Sequence, residues 1–126
     1  MSFIKLFFLI YSTMAFAKIE ISPIYDGEFN MDSSACWIEN TKQEILVYGQ
    51  DSSFVKIKYN GEIISINNLA KNHFKCGNNL QFSSKDKSLT LNIKLGKSKN
   101  EQCLADISLK AKKERKILKQ LKFKCS

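Results

Sequence analysis

Catalytic residues are what this chain lacks most clearly. It contains one histidine, His73, and no G-x-S-x-G, H-E-x-x-H, P-loop or dinucleotide-binding motif. A lone histidine has no obvious second group with which to move protons, so acid–base chemistry is disfavoured. We therefore expect a protein that is not an enzyme and uses no cofactor, in which His73 lies on the surface or at a hairpin end.

Metal-binding patterns are missing as well. The four cysteines show no C-x-x-C spacing, and His73 stands three residues before Cys76 without a second histidine. Asp26, Glu28 and Asp32 cluster early in the chain, but without the ordered spacing of a calcium-binding loop. The sequence thus predicts no metal site, and we interpret these acids as part of a solvated polar arm.

Long apolar runs are absent beyond the N-terminus. The N-terminal sequence MSFIKLFFLIYSTMAFA combines Lys5, the short apolar run Leu6–Tyr11 and an A-x-A cleavage signal that ends at Ala17. These are the features of a secretory signal peptide, and the run is shorter than the about 20 residues that a membrane helix needs. We expect residues 1–17 to be removed near Ala17, leaving a periplasmic or secreted protein without a membrane span.

The four cysteines all follow this segment, and an even number in a small exported domain predicts disulfides. The segment Cys103–Cys125 alternates apolar and polar residues on either side of a charged tip, which predicts a hairpin. With a three-residue loop at Lys113–Arg115, the two apolar faces coincide and the two end cysteines are opposed. Opposed Cα atoms are about 4.5–5.5 Å apart, which a disulfide can span. The predicted pairs are Cys103–Cys125 and, by elimination, Cys36–Cys76.

Turn signals and alternating segments recur along the rest of the chain, and no stretch repeats apolar residues at helical spacing. Asn60-Gly61 is the preferred pair for a type I′ turn and predicts a hairpin over Phe54–Ile66. Leu89–Leu95 alternates cleanly, and we interpret His73–Cys76 as a short strand.

We predict one all-β domain at 35–126, an antiparallel meander that closes into a barrel or a two-sheet sandwich stapled by disulfides. Residues 18–34 are expected to form an N-terminal arm or loop. In the last hairpin, the residues expected to face inward after the tip are Ile117, Leu121 and Phe123.

Positive charge is concentrated in the last third of the chain. Residues 18–84 carry six Lys and eight Asp or Glu (6 − 8 = −2), whereas residues 85–126 carry thirteen Lys or Arg and four Asp or Glu (13 − 4 = +9). One interpretation is a solvated lysine face that blocks sheet-edge pairing, and the other is contact with an anionic partner. Nucleic acid is disfavoured because no aromatic residue joins the outward lysines for base stacking. The candidate contact residues are Lys110, Lys112, Arg115, Lys122 and Lys124.

Three apolar residues stand out in the early polar loop, namely Tyr25, Phe29 and Met31. An apolar side chain in a polar loop can anchor a protein partner. The alternative is that these residues cover one end of the barrel. Trp37, beside Cys36, is interpreted as core packing against a disulfide.

In outline the chain resembles the small exported β-barrel proteins with which bacteria inhibit lysozyme. The likeness consists of a signal peptide, a mature chain of 126 − 17 = 109 residues, antiparallel strands and a late disulfide. The positive charge departs from that pattern, because lysozymes are commonly cationic too. Periplasmic immunity proteins that neutralise secreted toxins share the same size and compartment. We expect a non-enzymatic binding module that occludes a protein partner, as an inhibitor or immunity protein. The alternative is an electrostatic binder of anionic envelope polymer or lipid through the lysine-rich hairpin.

Overall fold

The computed structural model describes residues 19–25, 35–49, 53–69, 72–100 and 102–125. Over these ranges the chain forms strands and no helix, which confirms the predicted all-β class. The predicted signal peptide and most of the predicted arm lie outside the described residues. The strands are β1 (Ile21–Ser22), β2 (Cys36–Glu39), β3 (Ile45–Gly49), β4 (Phe54–Tyr59), β5 (Glu62–Asn68), β6 (Asn79–Ser83), β7 (Leu89–Leu95), β8 (Cys103–Ala111) and β9 (Glu114–Cys125).

The sheet is a meander that closes on itself. Each strand from β2 to β8 pairs antiparallel with the strand that follows it, and β9 pairs back with β2. This closure makes an eight-stranded barrel, so the structure decides for the barrel over the two-sheet sandwich. The short β1 pairs with the end of β4, and Ile24 forms a bridge with Ile45 of β3.

Alternating residues of the strands point into the barrel and fill it. The exposure of β7 alternates residue by residue, with its four apolar residues buried, as the sequence predicted. Side chains from neighbouring strands meet them, so the interior is a packed core. The most deeply buried side chains include Val55, Ile57, Ile66, Phe82, Leu91 and Leu109, each with 0 % exposure.

The predicted Phe54–Ile66 hairpin is confirmed in register and turn type. Asn60 and Gly61 both have positive φ, at 48° and 88°, as a type I′ turn requires. Val55 lies opposite Ile66, so the inward faces of β4 and β5 coincide as expected.

The predicted disulfide pairs are wrong. The structure joins Cys36 to Cys125 and Cys76 to Cys103. The β8–β9 turn has two residues instead of the predicted three, since Ala111 lies opposite Glu114, and β9 contains a bulge. Both differences shift the register, and Phe123 takes the place opposite Cys103. Cys125 instead lies opposite Cys36 across the β2–β9 seam, with Cα atoms 4.0 Å apart.

The bulge in β9 also reverses part of the predicted inward face. Ala105 pairs with Leu121 but Ile107 pairs with Leu118, so β9 carries one extra residue there. Gln120 adopts a φ of 58°, and its N–H donates to the Asp106 Oδ1 at 2.9 Å. Leu121 and Phe123 are buried as predicted, but Leu118 packs against the core and Ile117 is 51 % exposed. The inward assignment of Ile117 was therefore wrong.

One end of the barrel holds both disulfides and is closed by an aromatic side chain. Phe74, on the β5–β6 connection, stacks between Phe82 and Phe123, with ring centroids 6.0 Å away in each case. Gly49 makes room for it, because a Cβ there would lie 2.6 Å from the Phe74 ring. The stretch 73–76 is thus an irregular plug, and the short strand predicted there is absent. We call this end the disulfide end.

The opposite end carries the β4–β5 and β8–β9 turns, and we call it the hairpin end. Ile19 is buried in the core cluster there. The backbone N–H of Asn60 donates to Glu20 O at 3.0 Å, and the Glu20 N–H donates to Asn60 Oδ1 at 2.8 Å. These bonds attach the N-terminal segment to the β4–β5 turn.

Candidate binding face

Because side chains fill the barrel, the places where a partner can be received are on its surface. Two grooves, of about 450 Å³ and 410 Å³, open on the outside of strands β6 to β9. We call this surface the β6–β9 face. Its outward side chains include Gln81, Asn92, Lys94, Leu104, Asp106, Ser108, Lys110, Arg115, Ile117 and Lys122.

The first groove runs between the β7–β8 connection and the adjoining ends of β8 and β9, and we call it the Leu104 groove. Its floor is Leu104, which is 53 % exposed. One wall is a tight turn, in which Lys99 and Gln102 exchange backbone hydrogen bonds of 2.7 and 3.1 Å. Lysines rim the groove on both sides. They are Lys97 and Lys99 on the connection and Lys122 on β9.

The second groove lies nearer the middle of the face, and we call it the Ile117 groove. Asn92, Ser108 and Ile117 stand side by side on β7, β8 and β9. The bulge in β9 turns Ile117 outward at this point. Leu104 and Ile117 are two of the large apolar side chains that the described residues expose, and both lie on one face.

The predicted hairpin cations divide between the two ends of this face. Lys110 and Arg115 are opposed on β8 and β9 near the hairpin end, and Lys112 is in the turn. All three are exposed. A small depression of about 280 Å³ brings Lys110 and Lys112 together with Lys87 and the hydroxyl residues Ser88 and Thr90. Lys122, by contrast, lies beside Leu104 at the disulfide end.

Lys124 has a different environment from the other predicted lysines. Its Nζ lies 2.6 Å from Oε1 of Glu39, whose side chain is only 6 % exposed, while that of Lys124 is 37 % exposed. A buried carboxylate needs a compensating charge. The Lys124 ammonium group therefore offsets the charge of this carboxylate and is already engaged.

Tyr25 lies at the β2–β3 turn and not on the β6–β9 face. It is 55 % exposed, and its hydroxyl donates to Glu44 Oε2 at 3.0 Å. Asn40 Nδ2 donates to the other carboxylate oxygen at 3.1 Å. The bond from Asn40, and then that from Tyr25, hold the pKa of Glu44 below its ordinary value. Phe29 and Met31, the other two predicted anchors, lie outside the described residues.

A carboxylate organises the β6–β7 turn at the hairpin end. Asp86 Oδ1 accepts hydrogen bonds from the Ser88 hydroxyl and N–H and from the Ser84 hydroxyl, at 2.7 to 3.0 Å. The two bonds from Ser88, followed by that from Ser84, lower the pKa of Asp86 to about 2. Asp86 thus stays ionised at neutral pH and fixes the turn next to the exposed lysines.

Among the described residues, no group of three or more His, Cys, Asp or Glu is placed to hold a metal ion. His73 is exposed on the β5–β6 connection, and the early acids Asp26, Glu28 and Asp32 lie outside the described ranges. In the part of the chain that the structure describes, no helix has the length and apolar character needed to cross a membrane.

No protein-family model, curated protein or solved structure matches the chain.

Sequence reasoning missed the two exposed apolar residues of the β6–β9 face, Leu104 and Ile117. Leu104 carries a readable signal, because it stands in the polar phase of β8, between the buried Cys103 and Ala105. Ile117 carries none, since the bulge that turns it outward is held by a long-range contact.

Proposed function

We propose that this chain is an exported, non-enzymatic binding module that occludes a protein partner with its β6–β9 face, as an inhibitor or a toxin-immunity protein. The observation that carries the proposal is the exposure of Leu104 and Ile117 in neighbouring grooves on one open face. A few residues buried at the centre supply most of the free energy of protein interfaces, and the surrounding rim keeps water out. The packed interior favours a surface role over the storage of a ligand inside the barrel. Two disulfides are consistent with export to an oxidising compartment.

A second function is supported by the hairpin end. Lys87, Lys110 and Lys112 line one depression there, and the hydroxyl residues beside them suit phosphate or carboxylate oxygens. These residues support an electrostatic binder of anionic envelope polymer or lipid. Such binding weakens steeply as ionic strength rises, whereas a packed protein interface changes less.

Photo-crosslinking in the producing cells tests the first function against the second. The residue p-benzoylphenylalanine replaces Leu104, Ile117 or, as a control, Leu69, an exposed leucine outside the face. The proposal expects the same discrete protein adduct from positions 104 and 117 and not from position 69. Equal adduct yields at all three positions, or adducts to polymer and lipid alone, contradict it.

A further inference from the structure

The Leu104 groove has a preformed shape. The backbone N–H of Gly96 donates to Leu104 O at 2.8 Å, which ties the β7–β8 connection to β8. The Lys99–Gln102 turn closes on itself through its two backbone hydrogen bonds. Cys103, next to the floor residue, is bonded to Cys76 on the plug. A binding partner therefore meets a wall and a floor that need little reordering, which favours affinity.

The rim of the groove carries three lysines that are not paired with a described acid. Lys97, Lys99 and Lys122 are exposed and form no ion pair with a described acid, while Lys124 is already paired with Glu39. Glu101 lies outside the described residues. The groove thus places three ammonium groups around an apolar floor.

These two properties select among anionic partners. A phosphate polymer satisfies the lysines but leaves Leu104 uncovered, and a flat headgroup surface does not enter a walled groove. A polypeptide segment that alternates or mixes carboxylates with an apolar side chain satisfies both. The groove volume of about 450 Å³ also lies in the range of clefts that bind ligands.

We propose that the Leu104 groove receives an acidic segment of the partner protein, which places an apolar side chain on Leu104 and carboxylates beside Lys97, Lys99 and Lys122. This inference rests on the proposed function and gives it a partner chemistry. The chain is basic, with a formal net charge of +8, so long-range attraction also favours an acidic partner.

The test is an NMR titration of the purified, oxidised protein with short peptides. The probe is an acetylated, amidated Glu-Glu-Leu-Glu-Glu peptide, compared with Gln-Gln-Leu-Gln-Gln, Glu-Glu-Ser-Glu-Glu and inorganic polyphosphate. The inference expects the first peptide to shift the backbone resonances of 96–99, 102–104 and 122. Replacing either the carboxylates or the leucine weakens that binding by about tenfold, the size expected for about 1.4 kcal/mol.

Two pairs of variants make the result specific to the groove. K97Q/K99Q/K122Q is compared with K112Q/K113Q/K116Q, which removes the same charge at the hairpin end, and L104S is compared with L69S. Only the first member of each pair is expected to weaken binding of the acidic peptide. The inference is overturned if both triple variants weaken binding equally, if the resonance shifts centre on the hairpin turn, or if polyphosphate alone occupies the groove.

The outcome separates this inference from the proposed function. If the acidic peptide does not bind in the groove while p-benzoylphenylalanine at position 104 still yields a discrete protein adduct, the acidic-segment inference is overturned and the proposed function stands. If both experiments fail, both are overturned.

Discussion

Removing the Cys36–Cys125 disulfide should strongly destabilise the protein. The bond joins the two strands of the closing seam and encloses 89 + 1 = 90 residues. Loop-closure entropy for that length gives about 4.6 kcal/mol of stabilisation at 25 °C. A domain of this size has a total stability of about 5–15 kcal/mol, so the variant is expected to retain only a fraction of it. At about 4–8 °C per kcal/mol, Tm should fall by about 20 °C or more.

The assay is thermal unfolding of C36A/C125A, followed by circular dichroism under oxidising conditions. Cys36 is half-buried and Cys125 is exposed, so the substitution removes little packing and reports mainly the loss of closure. The wild type in reductant has both disulfides open. The difference between its Tm and that of C36A/C125A therefore reports the contribution of the Cys76–Cys103 disulfide. A fall in Tm of less than about 5 °C would refute the closure argument. Recovery of a Cys103–Cys125 peptide from a non-reducing digest would refute the pairing itself.

Three further predictions concern single contacts. Lys124→Ser should lower the free energy of unfolding by about 1–2 kcal/mol in urea unfolding, because it leaves the buried Glu39 carboxylate unpaired. The control Lys122→Ser should be nearly neutral, and equal effects of the two variants would contradict the role of the ion pair. Gly49→Ala should cost about 1–3 kcal/mol, because its Cβ meets the Phe74 ring at 2.6 Å, and a crystal structure of the variant with Phe74 unmoved would contradict this. Because the folded-state pKa of Asp86 is depressed to about 2, the stability it contributes is present above its unfolded pKa of about 3.9 and is lost as pH falls towards 2. Asp86→Asn should therefore flatten the decline in Tm between about pH 4 and pH 2, and an unchanged pH profile would argue against it.

The parts of the fold that local sequence controls were predictable. Asn60-Gly61 determines its hairpin because two consecutive residues with positive φ suit that pair. The alternation of Leu89–Leu95 determines which face of β7 is buried, since a slip by one residue would expose it.

The parts that depend on long-range contacts were not. The bulge has no glycine to mark it, because the positive φ falls on Gln120 and is held by the side chain of Asp106 on the neighbouring strand. The shorter turn moves Cys125 away from Cys103, and the one extra residue offsets only part of that shift. Four cysteines allow three pairings, and the pairing of β2 with β9 decides among them.

The same division applies to the candidate face. Charge alone indicated the lysine-rich hairpin, and most of those cations are exposed as expected. Charge did not distinguish Lys124, whose partner Glu39 lies on a distant part of the chain. The apolar anchors needed the register, because the direction of Ile117 reverses at the bulge.

The most direct test of a protein-binding β6–β9 face is the affinity of the crosslinked partner, once purified, for three forms of this protein. The forms are the wild type, L104S/I117S and the control L69S, measured by titration calorimetry at low and high salt. Leu104 and Ile117 are about half exposed in the free protein, and the proposed interface buries them in the complex. Replacing both with serine should therefore lower the affinity by about tenfold or more, at high salt as well as at low salt. The control should bind like the wild type. Equal affinity of all three forms, or binding that disappears at high salt regardless of the variant, would contradict a packed interface on this face.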